Sequence, residues 1–331
     1  GSEIQNSILQ NYRNKYKGNT PTVIFVHGLN PFGMKYLRRV NENNVDLNRN
    51  ALFSDEQRNG DYNKCLYEKI NNIINPKYPY SNTILSKLYR LYKMGVSIYK
   101  NGFENSKRSM ITGTYDKKYE KGLIYGGNEL QKSHKLLKKY LEDNNYLQNT
   151  KNFSIIDVHS GMGERGKDTI MLSSSNTYDE YFLSNLFKES HDVCYTHSNQ
   201  TNNVTKGYDL TCGDVADNYP KLFKNAVNVI SITQEFGTYH NILVALELIV
   251  ENQCWHYGSK YGNYDNKNLY RIFSPLHLEK FKHEIIERGE ILFDKIINHH
   301  ISLEWKYSTI IILYIIINKK LYSRLGNYLY K

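Results

Sequence analysis

Cysteine is scarce in this 331-residue chain. There are four, Cys65, Cys194, Cys212 and Cys254. No two form a C-x-x-C pair, which argues against a cysteine zinc site or a dithiol redox motif. So few thiols fit a reducing compartment, and a cytoplasmic location is the expectation. The first residues lack the pattern of a secretory leader. Long apolar runs are also missing. The longest, residues 309–317 (TIIILYIII), falls short of the roughly 20 residues that span a bilayer as a helix, so no transmembrane helix is expected. There is no block of like charge either. The net charge is +10, but Lys and Arg are scattered, so no nucleic-acid partner is expected. The 30 tyrosines, with abundant Lys, Asn and Ile, fit a base-composition bias in the gene better than a function.

What is present is ordinary globular composition, 40% hydrophobic and 23% charged. The length suits one large α/β domain or two modest ones. Residues 22–27 (TVIFVH), 153–159 (FSIIDVH) and 227–235 (VNVISITQE) read as buried strands, each followed by a glycine-containing loop. Residues 168–172 read as a further strand. Helical spacing covers 2–12, a stretch from about Asp61 to Pro76, 81–102, 128–144, 178–189, 240–253 and 276–299. Residues 113–128 hold several glycines and read as an irregular loop. Strands alternating with helices predict an α/β fold with a mostly parallel sheet. The stretch 309–317 is left open as a buried strand, an aggregation-prone segment, sequence outside the domain or a tail anchor. The domain is therefore set at 1–304, with 305–331 as a tail of uncertain fold.

The chemistry concentrates in a few loops. Asp46-Leu47-Asn48-Arg49-Asn50 follows the pair Arg38-Arg39. A planar guanidinium beside an amide suits a carboxylate ligand, because both present hydrogen-bond donors. Asp46 would repel that ligand and is expected to orient something else. In open α/β sheets ligands bind beyond the carboxyl ends of strands. Asn30, the Arg38–Asn50 segment, His159 and Glu235 are thus expected to converge, a set that suggests metal-assisted hydrolysis of a carboxylate-bearing substrate. Plainer readings stand beside each. A lone His159 is more often a hydrogen-bonded strand-end residue than a ligand. Glu235 serves equally well in a structural salt bridge to an arginine. Arg38 and Arg39 fit a solvated helix end, and Asn48–Arg49 a turn cap. His27 reads as packed. His277, His283, His299 and His300 read as surface residues.

Taken in order, Asn30-Pro31-Phe32-Gly33, Arg38-Arg39, Asp46 to Asn50, Asp157-Val158-His159-Ser160-Gly161 and Glu235-Phe236-Gly237-Thr238 resemble the zinc carboxypeptidase (carboxypeptidase A-like) superfamily. Gly122 to Gly127 and Glu251 to Trp255 point to a poorly characterised branch of unknown function. The resemblance covers roughly residues 1–300. It implies a three-layer α/β/α sandwich around a mixed, largely parallel, eight-stranded sheet, with one catalytic zinc.

The resemblance makes His159 a zinc ligand, Glu235 the general base and Arg38 the group that polarises the scissile carbonyl, with Arg39 as the alternative. It makes Asn48 and Arg49 the grip on the substrate's terminal carboxylate and Asp46 the support of a zinc histidine. Tyr208 is the candidate for a mobile tyrosine over the substrate. The implied reaction is hydrolysis of an amide next to a free carboxylate, in a peptide or an N-acyl amino acid. The chain departs from the superfamily in one respect. The His-x-x-Glu motif that supplies the first two zinc ligands is absent upstream of Asn30. Gly1-Ser2-Glu3-Ile4-Gln5 resembles the continuation of that motif, so the chain is read as starting just after it. One histidine does not hold catalytic zinc, which takes about three protein ligands. Tight zinc binding and activity are therefore not expected of this chain. The alternative is a non-catalytic relative that binds carboxylate-ended ligands.

Overall fold

The three apolar runs ending near His27, His159 and Glu235 become neighbours or near-neighbours in one sheet. A computed structural model describes residues 1–54, 64–195, 211–261, 267–303 and 305–314. The first half contains α1 (Ser2–Lys15), β1 (Thr22–Val26), α2 (Pro31–Tyr36), a 3-10 turn (Leu47–Arg49), α3 (Lys64–Ile74), β2 (Tyr80–Ser81), α4 (Ile84–Asn101), α5 (Phe103–Thr112), α6 (Lys132–Asp143) and α7 (Tyr146–Asn149). The second contains β3 (Asn152–Arg165), β4 (Asp168–Leu172), α8 (Glu180–Leu186), β5 (Asp192–Tyr195), α9 (Val215–Asn218), β6 (Asn228–Gly237), α10 (Asn241–Tyr257), β7 (Ser259–Tyr261), α11 (Lys267–Phe273), α12 (Glu279–Ser302) and β8 (Ser308–Tyr314). The expected start of a helix near Asp61 lies outside the described residues.

Among the described residues the main sheet has six strands in the order β1-β8-β3-β6-β4-β5, and β2 pairs with β7 separately. Every neighbouring pair in the main sheet is parallel except β4 with β6. Helices surround this sheet, giving the expected three-layer α/β/α sandwich. The eight strands implied by the resemblance are not all in one sheet among these residues.

One boundary needs correction. Ser308–Tyr314 is not a tail beyond the domain but a buried strand between β1 and β3, with Ile311 opposite both Ile24 and Ile155. A parallel strand buried on both faces needs no polar alternation, so it reads as a continuous apolar run. Residues 315–331 lie outside the described residues.

α1 and α12 pack together. A Cβ on Gly289 of α12 would sit 2.4 Å from Ile4 Cγ2, so glycine permits this close approach. Gln5 of α1 donates to the carbonyls of Val26 (3.4 Å) and Ile312 (3.1 Å), tying the helix to two strands. α12 also buries His300, whose Nε2 lies 2.7 Å from Ser154 Oγ. Burial, helped by the charge of His299, pushes His300 down to about 3. His299 is partly buried against the Tyr178 hydroxyl at 2.8 Å. The expectation that this pair lies on the surface is thus corrected. Both rings face packed elements, a tertiary fact that helical spacing does not carry. His283 does lie exposed.

On the odd-numbered side of β3, Phe153 stacks on Phe223 with ring centroids 3.9 Å apart. His134 of α6 bridges the Tyr219 hydroxyl and the Leu47 carbonyl, each at 2.9 Å. That bridge fixes the turn at Leu47–Arg49 to the core. Helix α5, strand β5 and helix α11 are additions to the elements expected from the sequence, and β5 and α11 are short.

Candidate functional site

The site begins with strand register. Parallel pairing of β3 and β6 sets His159 directly beside Glu235. Their side chains share a face, with His159 Nδ1 at 3.6 Å from Glu235 Oε2. Asp157, two residues earlier on β3, points the same way because side chains alternate along a strand. His159 Nε2 lies 2.8 Å from Asp157 Oδ2, within ion-pair distance but not aligned as a hydrogen bond. The imidazole is therefore held between two carboxylates. Burial alone would lower the His159 pKa, but the negative charge of Asp157, then of Glu235, raises it above the ordinary value. Burial pushes Glu235 up, opposed by His159 and by the Met162 N–H, which donates to Glu235 Oε1 at 3.0 Å. Of the two readings open for Glu235, its ion-pair partner among the described residues is His159 rather than an arginine.

The second part of the site is the loop after α2. Asn30 caps that helix, accepting from the Gly33 N–H at 2.8 Å, and donates to the Arg39 carbonyl at 3.0 Å. It shapes the turn and does not line the pocket. Leu37 ends α2 in a left-handed conformation (φ 56°). Beyond it Arg38 and Arg39 diverge. Arg38 is corrected as a substrate-facing residue: it is 1% exposed. Its Nε donates to Glu251 Oε1 at 2.5 Å, and its guanidinium stacks over Trp255 at 4.2 Å. Arg39, the alternative, lines the pocket.

Asp46, for which the resemblance implies a zinc histidine of the absent His-x-x-Glu motif, has other partners in this chain. One oxygen accepts from Arg39 Nε at 2.8 Å, and the other caps the 3-10 turn by accepting from the Asn48 N–H at 3.0 Å. Burial would raise the Asp46 pKa, but Arg39 and Arg49 together bring it below the ordinary carboxylate value. Its partner is an arginine, not a zinc histidine.

Asn48 and Arg49 line the pocket. The Asn48 Oδ1 accepts from the Val215 N–H at 3.0 Å, which fixes the amide so that its NH2 is the end offered elsewhere. Arg49 donates through Nε (3.0 Å) and one terminal nitrogen (2.8 Å) to the Ile111 carbonyl, and through the other to the Asn48 carbonyl (2.6 Å). Gly213 packs on this turn. It has φ +69°, and a Cβ there would lie 2.2 Å from the Arg49 carbonyl oxygen, so a side chain would push the turn away. Tyr115 Oη reaches the same carbonyl at 2.5 Å.

These groups open onto a cavity of about 380 Å³. Its polar end holds Arg39, Asn48, Arg49, His159 and Glu235. Its apolar wall comes from α3, α4, α5 and α10, including Ile73, Ile98, Met110 and Leu248. Two acids missed in the sequence, Asp214 and Asp217, also line it. Burial and the charge of Asp217 push Asp214 up to about 7. Asp157 was discoverable, since an acid two residues before His159 in an apolar strand must share its face. Asp214 and Asp217 gave no signal of their own. Tyr208 lies outside the described residues.

The donor set can be tested against zinc. At the pocket His159 and Glu235 offer two ligands, and Asp157 is engaged on the far side of the ring. Among the described residues no group of three His, Cys, Asp or Glu side chains is arranged to hold a metal ion. Catalytic zinc takes about three protein ligands, so the described residues do not fit it.

The fold is thus an α/β/α sandwich with a mostly apolar cavity whose charged end lies at β3, β6 and the Leu47–Arg49 turn. The chain belongs to the family described as Protein of unknown function (DUF2817), whose model matches residues 1–288. No curated protein and no solved structure matches the chain. Among the described residues no helix is long and apolar enough to cross a membrane.

Proposed function

We propose that this cavity binds the free-carboxylate end of an amide, either a peptide C-terminus or an N-acyl amino acid, as a carboxypeptidase-like hydrolase site would. The observation that carries the reading is the polar end of the cavity. There Arg39, Arg49 and the donor end of Asn48 meet beside the His159–Glu235 pair, with Asp214 and Asp217 also in the lining, while the wall from α3, α4, α5 and α10 is largely apolar. Arg39 pairs with Asp46, whereas Arg49 bonds the backbone carbonyls of Ile111 and Asn48, which leaves the charge of Arg49 for a ligand anion. The apolar wall suits a hydrophobic side chain or acyl group.

In this reading Asn48 and Arg49 hold the ligand carboxylate, and Arg39 takes the place first given to Arg38 beside the amide carbonyl. Glu235, whose carboxylate burial makes more basic than an ordinary one, is the general base. The described residues do not complete a site for the zinc that the resemblance implies. Binding is the activity these residues support by themselves.

Calorimetry with an N-acyl amino acid and its C-terminal carboxamide tests the reading. The free acid is expected to bind at least ~10-fold more tightly, the scale of a charge-assisted hydrogen bond. Equal affinity for acid and amide, or no binding of either, rejects it. Measuring amine release with zinc added separates a hydrolase from a binder.

A further inference from the structure

α4 presents its apolar residues to solvent. Ile84, Leu88, Leu91, Tyr92 and Tyr99 recur at helical spacing and form one arc, with Leu85 and Tyr89 beside them. Leu85 is 80% exposed, Tyr92 65% and Tyr99 91%. Gly95 lies on the same arc, and a Cβ there would meet nothing within 4 Å. The opposite face is mixed, with Met94 and Ile98 beside polar residues. It buries Ser97 and Arg90, whose guanidinium stacks over Tyr80 at 4.6 Å while its nitrogens find no hydrogen-bond acceptor among the described residues. A helix turned this way is unfavourable in water, since apolar surface gains by leaving water and a buried cation loses by it.

The charges beside the arc indicate what covers it. Lys87 flanks it on one side, and Lys93 and Lys100 on the other, all exposed. Ile84–Asn101 contains no Asp or Glu. An apolar arc bearing tyrosines and bordered by lysines matches the boundary between acyl chains and anionic headgroups. A protein groove would accept the leucines but has no need of cations on both borders. We infer that α4 docks in the plane of an anionic lipid bilayer, with Ile84, Leu85, Leu88 and Tyr92 inserted and Lys87, Lys93 and Lys100 at the headgroups. Met94 and Ile98, on the other side of the helix, line the cavity, so the docked face and the binding site share one element. The inference rests on α4 alone and holds whether or not the cavity binds carboxylates.

The test is co-sedimentation of the full chain with phosphatidylcholine vesicles and with vesicles containing about 30 mol% phosphatidylserine. Binding is expected to the anionic vesicles and to weaken with salt. L85E/L88E is expected to reduce it at least ~10-fold, and K87A/K93A to reduce it roughly 10-fold. The substituted side chains are exposed, so circular dichroism and melting temperature should not change; an unfolded L85E/L88E is replaced by L85S/L88S. Absence of binding to anionic vesicles at low salt overturns the inference. So does binding that L85E/L88E leaves intact. A dimer that L85E/L88E dissolves, in a chain that ignores vesicles, assigns the face to a second copy instead.

Discussion

Two adjacent arginines pair with carboxylates far apart in sequence, and the two pairs have opposite surroundings. Arg38 and Glu251 are sealed beneath Trp255, with side chains 1% and 3% exposed. Arg39 and Asp46 sit at the cavity, where the arginine is 16% exposed. In the first pair burial raises Glu251 even against Arg38, and lowers Arg38. In the second the carboxylate is lowered, because Asp46 answers to Arg39 and Arg49 together. One arginine does not fully offset the burial of its partner, whereas two do. The first pair is a structural tie between the loop after α2 and α10. The second holds an arginine in place beside a ligand cavity.

The strongest way to break the comparison is Glu251→Ala. It leaves Arg38 buried without its counter-charge, a loss of about 3–5 kcal/mol. Chemical denaturation should show this, while the acid-to-amide affinity ratio of the surviving folded protein stays unchanged. A cost below about 1 kcal/mol would mean that the Arg38 pair is not the tie described.

Arg39→Ala should do the reverse. The side chain reaches the cavity surface and the buried Asp46 keeps the charge of Arg49, so the stability loss should be smaller than for Glu251→Ala, about 1–3 kcal/mol. Affinity for the free acid should fall about 10-fold, with little change for the amide. If affinity for both ligands falls equally, Arg39 acts through packing rather than through charge.

Much of this was legible in the sequence, for a physical reason. Strands buried on both faces are read from their composition, and their polar last residues, His159 and Glu235, stand out against it. The Asn48–Arg49 turn was recognisable from its crowding of donors. The choice between Arg38 and Arg39 was not, because it depends on the left-handed turn at Leu37 and on a partner 213 positions away. β8 was ambiguous because an apolar run alone does not say which strands flank it. The Asp214–Asp217 pair became visible only when α9 was placed against the Arg49 turn. Function is legible to a lesser degree than fold, since composition records burial and a site depends on which buried polar groups meet.

Asp46→Asn sharpens the comparison through pH. Asparagine still caps the turn at Asn48, so the change removes mainly charge. A loss of about 1–2 kcal/mol is expected near neutrality. The folded pKa of Asp46 is depressed, so its stabilisation is present above the unfolded value near 3.8 and is lost as pH falls through the folded value. Wild type and variant should therefore converge in acid. Glu251, with a raised pKa, predicts the opposite slope, and Glu251→Gln should narrow its gap to wild type as pH rises from about 4.5. Two variants with parallel pH profiles would erase the distinction between the pairs.

The smallest expected effect concerns the far wall of the cavity. Asp214 caps α9 by accepting from the Asp217 N–H at 2.8 Å, and its carboxyl is raised to about 7 by burial and by Asp217. A raised carboxylate makes the folded state hold more protons than the unfolded one between about pH 4 and 7. Stability from this group is thus greatest below that window and declines as pH rises through it. Asp214→Asn keeps the cap and removes the penalty of charging the group. The variant should melt a few degrees higher than wild type at about pH 8 and match it near pH 4. Arg49 feels the Asp214 charge, so the same substitution should also strengthen free-acid binding at about pH 8, by roughly 2-fold. A melting curve that shifts equally at both pH values would mean that Asp214 is not protonated across this range, and that the Arg49 end of the cavity faces a standing negative charge.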